Sequence, residues 1–511
     1  MKVVLSARIP ANKVVVRLAT GSPLLRSSTV GEGGEGFCLC FLAYGFKSFA
    51  CGPRSDVVGL HPVVTRVHRP AILVAAPASG QGKTTVTAAL ARLHARQGRR
   101  VRAFKCGPDF LDPMWLELAT GQPVHNVDLW MTGEDDVRAR LYASAQDADL
   151  VIVEGAMGLF DGEPSAADLA RRFGLRVLAV IDASAMSATF GALAFGLQHY
   201  RAGLPWAGVL ANRVGSPRHA QLLQAALPAG DAIAPASWLG AVMRNAAFKL
   251  PERHLGLTVA GELPDALARL DAAADALQHT SLGQMDAEAL QRWSVAFDSP
   301  PEMQPTPRLL TGQTVAVARD AAFCFIYAAN LDTLRELGAK LVFFSPLANE
   351  PVPACDAVWL PGGYPELHTH ALADSLTCRD SLKAHVAQGR PLWAECGGMM
   401  ALFDAIVDTE GNHHPAWGLL PGLVRMQPRL AGLGMQQLAL SAGVLRGHTF
   451  HYSTCETALQ PTKRTDPGRS GAAGTGEALY QHGAVRASYF HAWMASSPAA
   501  AAALLSPGTL A

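Results

Sequence analysis

The chain has 511 residues, of which 17% are charged, and its formal net charge is +1. This length predicts two or three domains, and the near-neutral charge argues against a global electrostatic attraction to nucleic acid or to a membrane. No apolar run approaches the roughly 20 residues that a membrane-spanning helix needs. Nine cysteines without a repeating spacing indicate reduced thiols and a cytoplasmic protein. Cys38 and Cys40 lack a second pair nearby, which argues against a metal site there.

Residues 1–69 differ from the remainder of the chain because they mix apolar pieces with Gly-Ser-Pro clusters and show no sustained periodicity. Arg8, Lys13 and Arg17 interrupt any apolar core of a signal peptide. We interpret this stretch as an atypical, disordered and dispensable extension, translated from sequence upstream of the true start. A chain beginning near Arg69 that lost folding or activity would refute this interpretation.

The segment 73–85 (LVAAPASGQGKTT) is an apolar run that stops at a turn of small residues, and a helical pattern follows it. Strand, loop and helix in this order are the setting of a phosphate loop. Pro77 stands where the G-x-x-x-x-G-K-[ST] pattern has glycine. The alternative is a glycine-rich turn before a surface helix, but the complete order of elements favours a nucleotide site.

Four residues of this loop have predicted duties. Gly80 and Gly82 allow the backbone to wrap an anion. Lys83 would reach the β- and γ-phosphates, and the Thr84 hydroxyl would ligate Mg²⁺. Together they form the predicted site for ATP and its metal.

Alternating strands and helices continue from residue 70 and predict a parallel sheet that is covered on both faces. Ligands of such sheets collect at the carboxyl ends of the strands. Acidic residues follow several of these ends, and we expect them to surround one nucleotide and its metal: Asp109, Asp112, Glu154, Asp161 and Asp182.

The acidic residues also have structural alternatives. Glu154 could merely end a buried strand, but a carboxylate beside a phosphate loop is the expected metal partner. With Thr84 and Asp109 it forms the predicted Mg²⁺ set. Asp109 and Asp112 could be turn residues next to prolines, and Asp182 is the most structural candidate because Asp caps helices.

A second α/β unit follows an amphipathic helix at 265–278 and a Pro-rich stretch at 299–308. In it, the segment 391–400 (PLWAECGGMM) is a strand that turns sharply into a helix with Cys396 at the corner, the cysteine version of a nucleophile elbow. A helix N-terminus favours the thiolate, whereas the alternative is an inert buried thiol. The elbow pattern predicts a nucleophile.

A cysteine nucleophile needs oxyanion donors and a base. The predicted donors are the N–H groups of Gly397 and of Gly363 in the Gly362-Gly363 turn. His491, at the end of a strand-like segment, is the predicted base. Three further histidines compete for this role, because spacing alone does not separate them: His448, His451 and His482.

Seven blocks in order resemble the cobyrinate a,c-diamide synthase family of glutamine-dependent corrinoid amidotransferases, which includes the hydrogenobyrinate enzymes. The blocks, spread over residues 71–498, are APASGQGKTT, FKCGPDFLDP, VIVEGAMGLFDG, VAVARDAAFCFIYAANLDTL, LPGGYPEL, AECGGMMAL and ASYFHAWMASSP. The resemblance implies an α/β fold with two doubly wound domains. These are an N-terminal P-loop synthetase domain, related to dethiobiotin synthetase, and a C-terminal class I glutamine amidotransferase domain.

The predicted organisation is an extension at 1–69, the synthetase domain at 70–260, a helix and Pro-rich linker at 261–307, the glutaminase domain at 308–498 and a tail at 499–511. The resemblance assigns ATP binding to Gly82, Lys83 and Thr84, service to Mg²⁺ and substrate to Asp109, Asp112, Glu154 and Asp161, and glutamine hydrolysis to Cys396 and His491. Many class I glutaminases have Glu two residues after the His, where this chain has Trp493. No third triad member is therefore named.

The implied reaction is ATP-dependent amidation of the a and c side-chain carboxylates of cobyrinate in cobalamin biosynthesis. It uses glutamine or ammonia and passes through an acyl phosphate. The implied partners are the corrinoid, L-glutamine and ATP, with Mg²⁺ as cofactor, and a homodimer is compatible with them. Hydrogenobyrinate as substrate stays open, and cobyric acid synthase fits the blocks less well. A ParA-like regulatory ATPase is the alternative of another class, but it would not need an elbow cysteine.

Overall fold

The computed structural model describes residues 65–508, except 229–236, 249, 254–255, 258, 302–304 and 469–475. Two interpretations therefore concern residues outside the described ranges: that of most of the extension, and that of Cys38 and Cys40. The first strand begins at Arg66, four residues before the predicted start of the synthetase domain.

The first half of the chain builds an eight-stranded sheet, a separate two-stranded sheet and the helices that cover them. Its strands are β1 (Arg66–Ala75), β2 (Val101–Cys106), β3 (His125–Val127), β4 (Leu150–Glu154), β5 (Arg176–Asp182), β6 (Trp206–Val214), β7 (Trp238–Met243), β8 (Glu252–Arg253), β9 (Gly256–Leu257) and β10 (Ser294–Asp298). Its helices are α1 (Lys83–Arg96), α2 (Leu111–Thr120), α3 (Glu134–Asp147), α4 (Ala166–Phe173), α5 (Thr189–His199), α6 (Pro217–Ala225), α7 (Ala266–Gln278) and α8 (Ala287–Leu290).

The strand order β3-β2-β4-β1-β5-β6-β7 places β1 at the centre of a parallel sheet. Successive β1 side chains point to opposite faces, so Leu73 packs in the layer under α3, α4 and α5, while Val74 packs in the layer under α1, α2 and α7. The continuous apolar run of β1 follows from burial on both faces. The carboxyl ends of β1, β4 and β5 then meet at one crevice.

Part of the predicted linker packs on this first sheet. β10 pairs antiparallel with the start of β1, Arg66 facing Asp298. Helix α7 packs against α1, and Arg92 on α1 binds Asp271 on α7 at 2.7 Å. The chain leaves the first domain only after β10.

The second half builds a seven-stranded sheet with two smaller sheets beside it. Its strands are β11 (Thr314–Ala318), β12 (Lys340–Phe344), β13 (Ala357–Leu360), β14 (Leu392–Glu395), β15 (Ala405–Val407), β16 (His413–Pro415), β17 (Leu423–Met426), β18 (Gly432–Leu440), β19 (Gly443–His451), β20 (Ser453–Glu456), β21 (Lys463–Arg464), β22 (Asp466–Pro467), β23 (Ala478–His482), β24 (Val485–Ser488) and β25 (His491–Trp493). Its helices are α9 (Ala328–Glu336), α10 (Thr369–Asp374), α11 (Leu376–Ala387), α12 (Gly397–Met400) and α13 (Pro498–Leu504).

The main sheet of this half has the order β12-β11-β13-β14-β24-β23-β21, parallel from β12 to β24. Strand β14 is central and buried along its whole length. Directly after β24 the chain enters β25, which belongs to a separate four-stranded sheet with the order β22-β18-β19-β25. The two α/β sheets confirm the predicted fold class.

No helix in the described part of the chain is long and apolar enough to cross a membrane.

Candidate functional site

The phosphate loop ends at Gly82, which stands at φ 89° immediately before α1. A Cβ at this position would collide with the side-chain amide of Asn212, which itself donates a hydrogen bond to Gln81 O at 2.9 Å. Only glycine adopts this left-handed conformation cheaply and leaves room for the amide. Asn212 of β6 therefore fixes the backbone of the phosphate loop at the start of α1.

Lys83 lies between the phosphate loop and the loop that follows β4. Its Nζ donates to Met157 O at 2.6 Å and to Ala78 O at 3.2 Å. Burial lowers the pKa of Lys83, and the neighbouring charge of Lys105 lowers it further. The ammonium is thus placed where the two loops meet, at the mouth of the crevice.

Thr84, Glu154 and Lys105 form a buried cluster under the loop. The Thr84 hydroxyl donates to Glu154 Oε1 at 2.6 Å, and Lys105 Nζ lies 3.2 Å from the same oxygen. Lys105 also binds Asp112 Oδ2 at 2.5 Å. Asp109 accepts hydrogen bonds from the backbone N–H groups of Leu111 and Asp112, both at 2.8 Å.

The electrostatics of this cluster suit a cation. Burial raises the pKa of Glu154 to about 7, and burial with the charge of Asp112 raises that of Asp109 to about 6. Burial lowers the pKa of Lys105, but the surrounding carboxylates hold it above its usual range. Three carboxylates thus share one ammonium, and Glu154 Oε2 is buried without a hydrogen-bond partner among the described residues.

The oxygen donors here fit Mg²⁺, which binds through one or two carboxylates, a hydroxyl and substrate phosphates. Within the described residues no group of three or more His, Cys, Asp or Glu side chains forms a metal cage. A site built from Thr84 and Glu154 around a bound nucleotide does not need such a cage.

Asp161 and Asp182 hold loops in place. Asp161 is exposed and accepts a hydrogen bond from Gly158 N at 2.8 Å. Asp182 accepts from Ser184 N at 2.9 Å and from Arg213 Nη1 at 2.7 Å. Asp182 does not cap the following helix, as the structural alternative assumed, because α5 begins only at Thr189 with Ala188 before it.

The elbow at Cys396 has the predicted geometry. Cys396 stands between β14 and α12 at φ 42°, a strained value for a residue with a side chain. Its Sγ lies 4.0 Å from Phe450 O, and the residue is 4% exposed. A Cβ on Gly397 would stand 2.8 Å from Gly363 N, so the two predicted oxyanion donors are neighbours.

The expected preference for thiolate is wrong for this structure. Burial raises the pKa of Cys396, and the nearby carboxylates of Glu366, Glu477 and Glu395 raise it further. The backbone N–H of Gly397 lowers this pKa, but burial and the carboxylates outweigh it. The thiol therefore needs a base to become a nucleophile.

His491 does not end β24, as the sequence suggested, but begins the separate strand β25. Its ring stacks on that of His448 with centroids 4.9 Å apart, and its Nδ1 lies 3.8 Å from Glu395 Oε2. In the described part of the chain no hydrogen bond joins His491 to Cys396.

The competing histidines have partners of their own. His448 Nδ1 lies 3.1 Å from the Tyr327 hydroxyl, and burial lowers its pKa well below the ordinary value. His451 lies 3.1 Å from Glu477 Oε1 and 2.8 Å from Ser453 O. His482 is exposed at the end of β23.

Phe110 connects the two halves of the molecule. It directly follows Asp109, and its half-buried ring stacks on Phe325 and Tyr327 with centroids 4.9 Å and 4.3 Å away. The His491 ring is 5.1 Å away. One side chain of the first domain therefore touches the predicted base of the second.

Three residues of these sites were not predicted: Lys105, Asn212 and Glu395. Each is a polar side chain within or at the end of a buried strand, and each is less than 10% exposed. This signal singled out Glu154 and could have found the other three.

Both halves match described families. Residues 72–257 match the CobQ/CobB/MinD/ParA nucleotide binding domain, and residues 314–499 match the CobB/CobQ-like glutamine amidotransferase domain. The class of protein is therefore a glutamine amidotransferase joined to a nucleotide-binding domain.

Individual relatives narrow this class. The chain is 54% identical over 446 residues to the hydrogenobyrinate a,c-diamide synthase of Pseudomonas aeruginosa, which covers 87% of this chain and 99% of that one. It is 55% identical over 439 residues to the protein of the same name from Stutzerimonas stutzeri, covering 86% and 99%. It is 48% identical over 438 residues to the cobyrinate a,c-diamide synthase of Herminiimonas arsenicoxydans, covering 85% and 96%. The chain belongs to the family of hydrogenobyrinate and cobyrinate a,c-diamide synthases.

Proposed function

We propose that the protein amidates the a and c side-chain carboxylates of a corrin ring, with ATP as energy source and glutamine or ammonia as nitrogen donor. The observation that carries this proposal is that one chain joins a phosphate loop backed by a buried carboxylate to a domain with an elbow cysteine. The first site would make a carboxylate reactive, and the second would release ammonia.

In the first domain, a substrate carboxylate oxygen would attack the γ-phosphorus of ATP, giving an acyl phosphate and ADP. Ammonia would then displace inorganic phosphate and form the amide. The ammonium of Lys83 and the N–H groups at the start of α1 would offset the charge of the transferring phosphoryl group. Lys105 would remain paired with Asp112 and Glu154 beside the phosphates.

Thr84 and Glu154, with Asp109 close by, would hold Mg²⁺. A bound Mg²⁺ supplies charge neutralisation on the phosphates. The support is the unpartnered Oε2 of Glu154 and the hydroxyl that already binds its other oxygen.

In the second domain, His491 would take the thiol proton of Cys396, and the sulfur would attack the side-chain amide carbon of glutamine. The N–H groups of Gly363 and Gly397 would stabilise the oxyanion. The imidazolium would return its proton to the leaving ammonia, and water would hydrolyse the thioester to glutamate.

The names of the relatives support a corrinoid substrate and leave two candidates for it. The Pseudomonas and Stutzerimonas proteins carry the hydrogenobyrinate name and the Herminiimonas protein the cobyrinate name. We take cobyrinate as the substrate and hydrogenobyrinate as the second candidate. Assays with both compounds side by side decide between them through the ratio of their kcat/KM values.

A ParA-like regulatory ATPase is rejected because residues 314–499 match a glutamine amidotransferase domain. We also propose a cytoplasmic location, which is supported by six cysteines without disulfide bonds in the described part of the chain. A homodimer belongs to the proposal as well, and would show twice the chain mass in light scattering.

The test separates the two sites. Cys396→Ala should abolish glutamine-dependent amidation and leave ammonia-dependent amidation intact. Lys83→Ala should eliminate amidation with either nitrogen source. Equal loss of both activities in Cys396→Ala, or full ammonia-dependent activity in Lys83→Ala, would contradict these assignments.

A further inference from the structure

Glu395, the last residue of β14, is a buried carboxylate whose two oxygens have different surroundings. Its side chain is 2% exposed. Oε1 accepts a hydrogen bond from Trp393 Nε1 at 2.8 Å, and the N–H of Ala492 lies 3.5 Å from it. A carboxylate buried in this way is stable only when hydrogen-bonded and paired with charge. Oε1 has the hydrogen bonds, and Oε2 is the oxygen left to pair with a positive charge.

His491 faces Oε2. Its Nδ1 lies 3.8 Å from that oxygen and is buried without a hydrogen-bond partner in the described part of the chain. This distance is longer than a hydrogen bond. Catalytic pairs often stand apart in this way and tighten when substrate binds. The unpartnered Nδ1 and the neighbouring carboxylate are complementary.

The backbones of both residues are fixed. Strand β14 is central in its sheet, and β25 pairs with β19, placing His491 opposite His448. Asn330 on α9 also binds Ala492 O and Met494 N, both at 2.8 Å. The geometry of the pair is therefore set by three elements, not by one mobile loop.

The other side chains packed against the His491 ring do not compete with Glu395. They are Phe110 and Phe325, which are uncharged, and His448, which burial keeps neutral by lowering its pKa. Cys396 directly follows Glu395 in the chain. Glu395 thus brings the negative charge that an imidazolium at position 491 would need.

We propose that Glu395 is the positioning carboxylate of the glutaminase site, in place of the Glu that many class I glutaminases carry two residues after the His. The inference rests on the proposed roles of Cys396 and His491. Glu395 would accept a hydrogen bond from the Nδ1–H of His491, which leaves the Nε2 lone pair free to take the thiol proton. It would then stabilise the imidazolium.

The decisive variant is Glu395→Gln, which keeps an oxygen for the Trp393 and Ala492 N–H groups but removes the charge. The kcat for glutamine hydrolysis should fall by roughly 10²–10⁴-fold, with KM changed less than about threefold. The acid limb of its pH profile should move to lower pH, because an imidazole without the carboxylate binds its proton less tightly. Ammonia-dependent amidation should stay at the wild-type level.

Two controls accompany it. Glu395→Asp restores the charge and should recover part of the lost kcat. Trp393→Phe removes a hydrogen bond to Glu395 but keeps the charge, and its acid limb should coincide with that of the wild type.

The inference is overturned if Glu395→Gln hydrolyses glutamine at the wild-type rate, if its pH profile is unmoved, or if both nitrogen sources lose activity in parallel. Failure of the proposed function itself would look different. In that case the wild type would not hydrolyse glutamine, or Cys396→Ala would hydrolyse it as fast as the wild type.

Discussion

At the scale of single residues, Gly82 and Asn212 occupy the same small space at the start of α1. Gly82→Ala should weaken ATP binding at least tenfold, because the left-handed backbone costs about 1–2 kcal/mol with a side chain and the new methyl group displaces the Asn212 amide. Isothermal titration with Mg-ATP measures this loss.

Gly98→Ala is the matched control. Gly98 has φ 80° and open space around its missing Cβ, so the variant should lose about 1 kcal/mol of stability and bind ATP normally. Equal ATP affinity in the two variants would show that the Asn212 contact is unimportant.

Glu154 gives the nucleotide site a pH dependence. Its pKa is raised to about 7, so the carboxylate is increasingly protonated as the pH falls below that value. Mg-ATP affinity, measured between pH 6 and 8, should therefore decline toward acid. In Glu154→Gln the affinity should be low, and the decline that remains near pH 6 should come from Asp109.

Asp149→Asn is the control for the loss of one acidic group from the same region. Asp149 pairs with Arg100 at the surface beside the start of β4, so its variant should keep the wild-type pH profile. A Glu154→Gln enzyme with the wild-type profile would remove Glu154 from the metal site.

At the scale of elements, Asn330 joins α9 to β25. Its side chain is 1% exposed, donates a hydrogen bond to Ala492 O and accepts one from Met494 N. Asn330→Ala would leave both groups unpaired, and we expect a loss of about 2–4 kcal/mol in the free energy of unfolding. Chemical denaturation measures this loss, and glutamine hydrolysis should fall more than ammonia-dependent amidation.

Arg335→Ala, on the exposed side of the same helix, should change stability by less than about 0.5 kcal/mol. If Asn330→Ala were no more destabilised than this control, the anchoring of β25 would have to come from elsewhere.

The elements themselves were largely predictable. Apolar runs such as the one at β4 and the helical spacing after Lys83 are local signals, and the strand, elbow and helix around Cys396 formed as expected. The break after β24 was not predicted, because Tyr489 and Phe490 continue the apolar pattern while the chain moves into another sheet. That change depends on pairing with β19, which no local pattern encodes.

The site was predictable only where a local sequence motif carries its residues. Residues that a motif places, such as Lys83, Thr84 and Glu154, lie together in the structure. The contact of Phe110 with His491 joins residues far apart in sequence. It arises from domain packing, so neither periodicity nor motif spacing reveals it.

At the scale of the whole molecule, Phe110 stands between the cluster around Asp109 and the glutaminase base. Under the proposed function, Phe110→Ala should uncouple the sites. Because the ring contacts that join Phe110 to Tyr327 and His491 would be lost, more glutamine should be hydrolysed per amide formed, by about threefold to tenfold. Ammonia-dependent amidation should persist. The measurement is the ratio of glutamate to amidated product.

Phe195→Ala is the control, since Phe195 is an exposed ring on α5 that stacks on His199 of its own helix. Its glutamate-to-amide ratio should match the wild type. An unchanged ratio in Phe110→Ala would exclude Phe110 from coupling.

Trp493 stands where many class I glutaminases carry a carboxylate, and here it faces the other domain. Its ring lies 5.4 Å below the guanidinium of Arg140 on α3 and packs edge-on against Tyr327. In a glutaminase half cut away from its neighbour, the indole, on the same strand that bears His491, would lose the contact with Arg140. A synthetase domain joined to this half in a fusion protein should therefore bind it more tightly when it carries a cation at the position of Arg140.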